Sequence, residues 1–404
     1  MLFTRPLKML AVAAGTGSVL LAVLSSTVQA ERPTYRSVSH RTASHGHGYC
    51  PCPCPEEGGT AVDPDQVPTP SPEGGEDLPE IADLSGDTSF ASAPQSAVPN
   101  AIGDSMAGCF SAFDSLSGYS VPVCPGISRF NISQNNSALP QCRVYYNYHY
   151  FDDALFVDVG APNRLDVQRH VFGAEHAFWC DMASVGIEVP MNHTINSQYD
   201  GTNSLRDVEF GDVIVYLKSV LYQDCCKTVS TGLGVTLPTA DDIVYDDGTS
   251  AYVFENDVVV LSPYLAVLMT DPCSNWFLHS FAQFDLPTDD YTVDANGTLG
   301  QLDGGTIFRA DASLGYWISQ DCCGNGIAAI AELHYATNIE GDAIIGTAGA
   351  DNISNNDNEM LNATAGVNIA NGCWDIRPAI VLPLFDRPDR AFDWEAKLQI
   401  NRRF

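Results

Sequence analysis

The last eleven residues alternate between apolar and polar side chains as far as the final phenylalanine. Successive side chains of a strand point to opposite faces, so this segment predicts a strand with one apolar and one polar face. The apolar face carries Trp394, Ala396, Leu398, Ile400 and Phe404. A strand of this kind at the end of a chain is typical of the closing strand of an outer-membrane β-barrel. We expect Leu398, Ile400 and Phe404 to act as its assembly signal.

The same alternation recurs upstream around regularly spaced cysteines. Cys180, Cys225, Cys273, Cys322 and Cys373 lie 45 to 51 residues apart, and such a spacing indicates a repeated unit. An alternating segment long enough to cross a membrane as a tilted strand flanks each turn on both sides. The five predicted hairpins are 167–178 with 183–190, 212–222 with 228–238, 258–269 with 277–287, 308–318 with 328–337, and 361–369 with 374–384.

With first and last strands at 143–151 and 392–404, the pattern predicts an all-β fold: a closed antiparallel transmembrane barrel of about 12 strands. The count is even, as in single-chain bacterial barrels. The Cys turns are predicted at the periplasmic end and long acidic loops at the outer end, at 153–164, 192–207, 240–256, 288–306, 340–357 and 386–391. An interfacial girdle is expected from Trp179, Tyr222, Trp276, Trp317 and Trp374. A soluble two-sheet sandwich is the alternative.

The segment before the first strand divides into three parts. Residues 1–30 hold two cations, an apolar run and a small-residue cleavage site, as in a secretory signal peptide. Residues 31–108 are rich in proline, cysteine and acidic residues and predict a disordered periplasmic arm. Residues 109–141 predict a pre-barrel segment that folds under the barrel mouth or into it as a plug. Residues 142–404 form the predicted barrel.

Charge and cysteine content limit the partners. The formal net charge of −31 argues against a nucleic-acid partner, because phosphate is bound by cationic side chains. The predicted barrel makes the lipid bilayer and the barrel assembly machinery the expected partners. Thirteen cysteines in an exported chain indicate an oxidising compartment. Because the number is odd, at least one thiol has no intramolecular disulfide partner, so disulfide-linked neighbours are a further expectation. The candidates for disulfides are Cys50, Cys52, Cys54, Cys180, Cys225, Cys226, Cys273, Cys322, Cys323 and Cys373.

Charged residues accumulate on the strand face opposite the apolar one. These predicted lumen-lining residues are Glu175, Glu188, Lys218, Arg309, Asp311, Glu332, His334, Arg377, Asp393, Glu395 and Lys397. Charged side chains inside a barrel wall are tolerated when they form ion pairs or contact water. They therefore indicate either a selective pathway or a structural network that props a nearly closed barrel. No established catalytic or metal motif occurs in the sequence, so we predict no enzyme activity, metal site or cofactor.

Four short stretches carry a resemblance to known families. Ile102-Gly103-Asp104, residues 135–140 and residues 143–151 resemble predicted outer-membrane proteins of planctomycete bacteria. Residues 232–239 are similar to the transporter-like outer-membrane family of the phenol-degradation meta pathway. The resemblance implies an outer-membrane barrel of Gram-negative type over residues 100–404, and it does not indicate a substrate.

Two functions remain open from the sequence. One is an outer-membrane porin-like channel or transporter for small or hydrophobic solutes. The other is a structural envelope protein that is anchored by its barrel and cross-linked through its cysteines.

Overall fold

The structure is a computed structural model, and it describes the chain from residue 98 onward with interruptions. The described residues are 98–104, 110–114, 119–123, 129–159, 161–193, 198–199, 208–246, 251–271, 274–295, 297–302, 305–321, 324–340, 353–354, 359–386 and 390–404. The predicted signal peptide, most of the predicted arm, and Cys50, Cys52, Cys54, Cys273, Cys322 and Cys323 lie outside these ranges.

The described residues form strands joined by turns. In chain order the strands are β1 (Phe110–Asp114), β2 (Tyr119–Val123), β3 (Arg143–Val159), β4 (Ala161–Phe178), β5 (Ala183–His193), β6 (Gln198–Tyr199), β7 (Val208–Phe210), β8 (Val213–Gln223), β9 (Lys227–Leu237), β10 (Ile243–Asp246), β11 (Ala251–Phe254), β12 (Val260–Thr270), β13 (Trp276–Pro287), β14 (Tyr291–Ala295), β15 (Thr298–Leu302), β16 (Thr306–Gln320), β17 (Gly326–Glu340), β18 (Ile353–Ser354), β19 (Glu359–Asn371), β20 (Trp374–Pro383) and β21 (Trp394–Arg403). Among the described residues, no helix is long and apolar enough to cross a membrane.

Twelve of these strands close into an antiparallel barrel. Their order around the barrel is β3, β4, β5, β8, β9, β12, β13, β16, β17, β19, β20 and β21. The last strand pairs with the first, from Trp394 opposite Asp152 to Arg403 opposite Arg143, so the ladder has no free edge. The predicted strand number, the five hairpins and the closing strand are confirmed.

The barrel exposes an apolar outer face because the strands alternate with a period of two. On β8, for example, Ile214, Tyr216 and Lys218 point inward and are buried, whereas Leu217 and Leu221 are exposed. Other exposed apolar side chains around the outer wall are Phe172, Ile187, Leu233, Leu314, Leu333, Ile369, Ile376, Ile380 and Leu382. Such a belt has the composition of a surface that faces lipid.

We expect a cation on this outer face to destabilise the barrel in a membrane. Leu217→Arg places a charge near the middle of β8, where the cost is about 2–4 kcal/mol because lipid cannot solvate it. Urea unfolding in lipid vesicles measures the loss. The matched control is Leu299→Arg, because Leu299 is exposed on β15, outside the barrel wall. If the two substitutions lowered the free energy of unfolding equally, the apolar outer face of the barrel would not be the surface that contacts lipid.

The two ends of the barrel differ. At the turn end, short connections join β4 to β5, β8 to β9, β12 to β13, β16 to β17 and β19 to β20. At the loop end, β6, β10, β11, β14 and β15 form a separate five-stranded sheet. The prediction of a loop over 153–164 was wrong, because β3 and β4 continue as a paired ladder to Val159 and Ala161. Cross-strand backbone hydrogen bonds extend this hairpin past the barrel wall.

Aromatic side chains lie where the strands reach the turn end. Trp179, Trp276 and Trp374 are exposed there, and Tyr222 is exposed near the end of β8. Trp317 differs, because it is only 5% exposed and belongs to the apolar cluster inside the barrel. Trp317 is in phase with Arg309, Asp311 and Ser313, the inward residues of β16, so the expectation that it belongs to the girdle was wrong.

Candidate functional site in the barrel lumen

Two stretches that precede β3 lie inside the barrel, and we call them together the lumen segment. The outgoing leg is residues 98–104 and the return leg is residues 129–142. In the outgoing leg, Pro99 O bonds to His279 near the turn end of β13, and Asp104 bonds to Asn362 near the loop end of β19. The outgoing leg therefore runs from the turn end towards the loop end. The return leg ends at Cys142, directly before β3 begins with Arg143 at the turn end.

Strands β1 and β2 lie between the two legs in sequence and form a hairpin. Strand β1 also pairs with β18, which belongs to the loop-end connection between β17 and β19. The chain thus passes through the barrel, pairs with a loop-end connection and returns. The predicted boundary at residue 108 does not separate arm from plug, because residues 98–104 lie in the lumen with the return leg. Of the two positions predicted for the pre-barrel segment, the described residues 129–141 occupy the one inside the barrel.

The two legs bind each other through their backbones. The Ala101 amide donates to Asn136 O over 2.8 Å, and the Asn135 amide donates to Ile102 O over 3.2 Å. Gly103 lies at their closest approach with a φ of +72°, and a Cβ there would lie 2.5 Å from the Cα of Gln134. Only glycine fits this position without moving the return leg.

The wall holds the outgoing leg through its backbone polar groups. The Glu332 carboxylate accepts from the amides of Ile102 and Gly103 at 2.8 and 2.7 Å. Three strands further round the wall, on β21, Lys397 Nζ donates to Gly103 O at 2.6 Å and Gln399 Nε2 donates to Ile102 O at 2.7 Å. Backbone groups buried away from water must find such partners, and here the partners are side chains of β17 and β21.

The return leg is bound in the same manner. Gln283 of β13 accepts from the Ile132 amide at 2.8 Å and donates to Phe130 O at 2.6 Å. Lys218 of β8 donates to Asn136 Oδ1 at 2.8 Å and to Leu139 O at 3.1 Å. Gln134 lies 3.0 Å from His149 of β3. The lumen segment therefore contacts the wall on several sides.

Asn135 joins the return leg to two wall arginines. Its Oδ1 accepts from Arg377 at 2.6 Å and from Arg143 at 3.2 Å, and its Nδ2 donates to Asn147 at 2.6 Å. Its φ of +51° is a left-handed conformation that asparagine tolerates better than most residues. This one side chain thus links β3 and β20 through the lumen.

The lumen segment also has apolar contacts. Ile102, Phe130 and Ile132 are fully buried in one cluster with wall residues of β8, β12, β13, β16, β17, β19 and β20. The Phe130 ring stacks on Tyr216 with a centroid distance of 5.4 Å. It also lies over Gly234, where a Cβ would fall 2.2 Å from Phe130 Cδ1. The lumen segment thus has both polar and apolar contacts with the wall.

Ion pairs within the wall surround the segment. Glu175 accepts from Arg143 at 2.9 Å, from Lys218 at 3.0 Å and from Ser184 at 2.7 Å. On the other strands Asp285 pairs with Arg309 at 2.9 Å, and the Glu395 carboxylate lies within hydrogen-bonding distance of His149 Nδ1, at 2.7 Å. Buried charges of this kind persist because each has a charged or hydrogen-bonding partner.

Ten of the predicted lumen residues are buried on the inner face. They are Glu175, Glu188, Lys218, Arg309, Asp311, Glu332, His334, Arg377, Glu395 and Lys397. Asp393 is half-buried before β21 and pairs with Arg390. The sequence list omitted Arg143, Gln283 and Asp285, although the same alternation places them on the inner face of their strands.

The described cysteines lie at the turn end as thiols. Cys142 and Cys226 are half-buried, and Cys180, Cys225 and Cys373 are exposed. The Sγ atoms of Cys225 and Cys226 are 3.3 Å apart. Burial and the neighbouring Cys225 raise the pKa of Cys226 to about 11. Cys226 is therefore mostly protonated at neutral pH, which slows attack on a disulfide.

The predicted assembly signal lies on the outer face of β21. Leu398 and Ile400 are half-buried there, and Phe404 is 74% exposed after the last strand residue. All three remain predictions as assembly residues. We expect deletion of Phe404 to slow insertion, measured as a smaller fraction of heat-modifiable protein in the membrane. Normal amounts of inserted protein would contradict this role.

No family model matches the chain, and no curated protein matches it. Among solved structures it is similar to an outer-membrane channel from Pseudomonas putida F1, with 12% identity and a TM-score of 0.46, over 66% of this chain and 97% of that one. It is also similar to the beta domain of the Bordetella autotransporter BrkA, with 12% identity and a TM-score of 0.41, over 65% of this chain and 100% of the other. The Pseudomonas putida toluene transporter TodX matches with 10% identity and a TM-score of 0.28, over 65% and 87%. These values are too low to carry a substrate or an activity over to this chain.

Proposed function

We propose that this protein is an outer-membrane channel or transporter for small or hydrophobic solutes, and that its own lumen segment closes it at rest. The proposal is carried by the hydrogen bonds that hold the lumen segment in the barrel. Side chains of the wall bind its backbone through hydrogen bonds, as Glu332 and Lys397 do. Water can replace such bonds, because a hydrogen bond to a charged group contributes a net of only about 1.5–3 kcal/mol. The lumen segment can therefore leave the lumen and open the barrel.

The width of the barrel supports the same proposal. Eight-stranded barrels are filled by their own inward side chains, whereas 16-stranded porins leave an aqueous channel. Twelve strands enclose an intermediate lumen, and here a separate stretch of chain occupies it. Displacement of this stretch would leave a wall lined by Arg377, Lys218 and Glu175. Such a wall is polar enough to hold water.

The apolar belt supports a place in a lipid bilayer, and the predicted signal peptide supports export across the inner membrane. The closing strand supports insertion by the barrel assembly machinery. We therefore place the protein in the outer membrane of a Gram-negative type envelope. The resemblances to planctomycete outer-membrane proteins and to the meta-pathway family fit this location, and they remain expectations.

Conductance in planar bilayers tests the proposed function. The refolded full chain should give discrete but infrequent current steps, because the lumen segment leaves only occasionally. The substitutions Arg309→Gln, Lys218→Gln and Arg377→Gln should shift the reversal potential towards cation selectivity, since fixed charge sets the local ion concentration. A complete absence of steps under all voltages would contradict the channel.

The exposed thiols favour a second candidate function, a structural envelope protein. Cys180, Cys225 and Cys373 lie exposed at the turn end, where another chain can reach them. If they cross-link neighbours, non-reducing gels of envelope fractions should show ladders that collapse with reductant. A single monomer band without reductant would exclude this function.

A further inference from the structure

A cluster of ligand-type side chains lies where the outgoing leg meets the wall. Asp104 belongs to the lumen segment, and Asp311 and His334 face each other across β16 and β17. One ligand atom from each of the three lies within 4.8 Å of the others. All three are buried, with exposures of 3%, 5% and 2%. The site thus combines two carboxylates and an imidazole from two separate parts of the chain.

The hydrogen bonds leave the cluster incompletely satisfied. Asp311 Oδ1 lies 2.8 Å from His334 Nδ1, but Asp311 Oδ2 has no hydrogen-bond partner among the described residues. A buried carboxylate oxygen without a partner carries a desolvation cost. Asp104 accepts one bond on each oxygen, from Asn131 and Asn362, and each oxygen keeps a further lone pair.

Charge in the cluster also favours a bound cation. Glu332 lies 3.3 Å from His334 Nε2, so three carboxylates surround one imidazole. The nearby Arg309 is held by Asp285 at 2.9 Å. Even a protonated imidazole together with Lys397, which bonds to Gly103 O beside Asp104, would leave the three carboxylates in excess. Buried charge of this kind is costly in a lumen with little water.

We propose that Asp104, Asp311 and His334 form a divalent-cation site that ties the lumen segment to the barrel wall. Carboxylate and imidazole ligands suit ions such as Mn²⁺, whereas thiols select softer ions. In this arrangement His334 is neutral and offers to the ion its Nδ1, which lies 2.8 Å from Asp311 Oδ1. Its Nε2 lies 3.0 Å from Thr364 Oγ1 and 3.3 Å from Glu332, and outer partners of this kind orient metal-bound histidines. The proposal does not depend on transport activity.

Retention of Mn²⁺ tests the site. The full chain is refolded in detergent with Mn²⁺ alone and desalted, and the Mn²⁺ released by acid is counted by electron paramagnetic resonance. Mn²⁺ is chosen because it avoids the cysteine-rich arm, and the acidic loops should lose it on desalting. The wild type should retain one ion per chain, and Asp104→Asn, Asp311→Asn and His334→Gln should each lose it.

The matched control is Asp375→Asn, which removes a buried carboxylate at the turn end and should retain the ion. Heat-modifiable migration on gels confirms folding of each variant. Asp104→Asn is the decisive variant, because Asp104 lies outside the barrel strands and an amide keeps much of its hydrogen bonding. A wild type that retains no Mn²⁺, or an Asp104→Asn variant that retains as much as the wild type, would overturn the proposal.

Discussion

Replacement of Gly103 by alanine is expected to free the lumen segment and to turn a mostly closed barrel into one that conducts. The φ of +72° costs about 1–3 kcal/mol for a residue with a Cβ. The new methyl group would also lie 2.5 Å from the backbone of the return leg, which cannot rotate away as a side chain can. Both costs fall on the closed state alone. Since 1.4 kcal/mol is a factor of ten, openings in planar bilayers should become about tenfold more frequent or more.

Gly297→Ala is the control for backbone strain. Gly297 also has a positive φ, +82°, but nothing lies within 4 Å of a Cβ built there. It lies at the turn between β14 and β15, outside the barrel wall. Its substitution should leave the opening frequency unchanged. If Gly103→Ala behaves like Gly297→Ala, the two legs do not pack together in the lumen as described.

Replacement of Glu175 by glutamine is expected to cause the largest loss of stability among the wall substitutions. The Glu175 carboxylate is fully buried between Arg143 and Lys218, at 2.9 and 3.0 Å. An amide of the same shape would leave both cations buried without their shared anion. Removal of one partner from a buried ion pair costs about 3–5 kcal/mol. Urea unfolding in lipid vesicles, followed by tryptophan fluorescence, measures the change.

The matched control for Glu175→Gln is Asp375→Asn at the turn end. Asp375 pairs with Arg403 at 2.7 Å, but the Arg403 side chain is 25% exposed and water can solvate it. Pairs that reach solvent contribute about 1 kcal/mol or less. Equal losses for the two variants would show that the Glu175 network is more accessible to water than its burial indicates.

The barrel could be predicted from the sequence because its strands obey a simple local rule. Inward and outward side chains alternate, so Leu217 and Lys218 identify the two faces of β8 without knowledge of the rest of the chain. The closing strand, the turn positions and most of the lumen residues follow from the same rule. Trp317 follows the rule as well, because it is in phase with Arg309 and Asp311 on the inner face of β16. The girdle was expected from its nearness to a Cys turn and not from this rule.

The lumen segment could not be predicted in this way. Residues 98–104 show no alternation of apolar and polar side chains. Their partners, such as Glu332 and Lys397, lie more than 200 residues away in sequence. These partners bind backbone atoms, which every residue has, so the side chains of the outgoing leg give no sign of the contact. One signal was available. Ile102-Gly103-Asp104 and residues 135–140, which carry part of the family resemblance, fall in the two legs. Gly103 and Asn135 adopt left-handed conformations there, and glycine and asparagine are the residues that do so at least cost.

Nuclear Overhauser effects in methyl-labelled protein test the occupied lumen most directly. Ile102 Cδ1 lies 2.5 Å from the position of a Cβ on Gly366 of β19, so the Ile102 methyl group and the Gly366 α-protons must be close in space. Refolded full-length protein in detergent micelles should give a strong cross-peak between them. Ile102 is fully buried, so its methyl signal should also be shielded from a water-soluble paramagnetic agent. An absent cross-peak together with an Ile102 methyl signal that the agent broadens would contradict a lumen filled by residues 98–104.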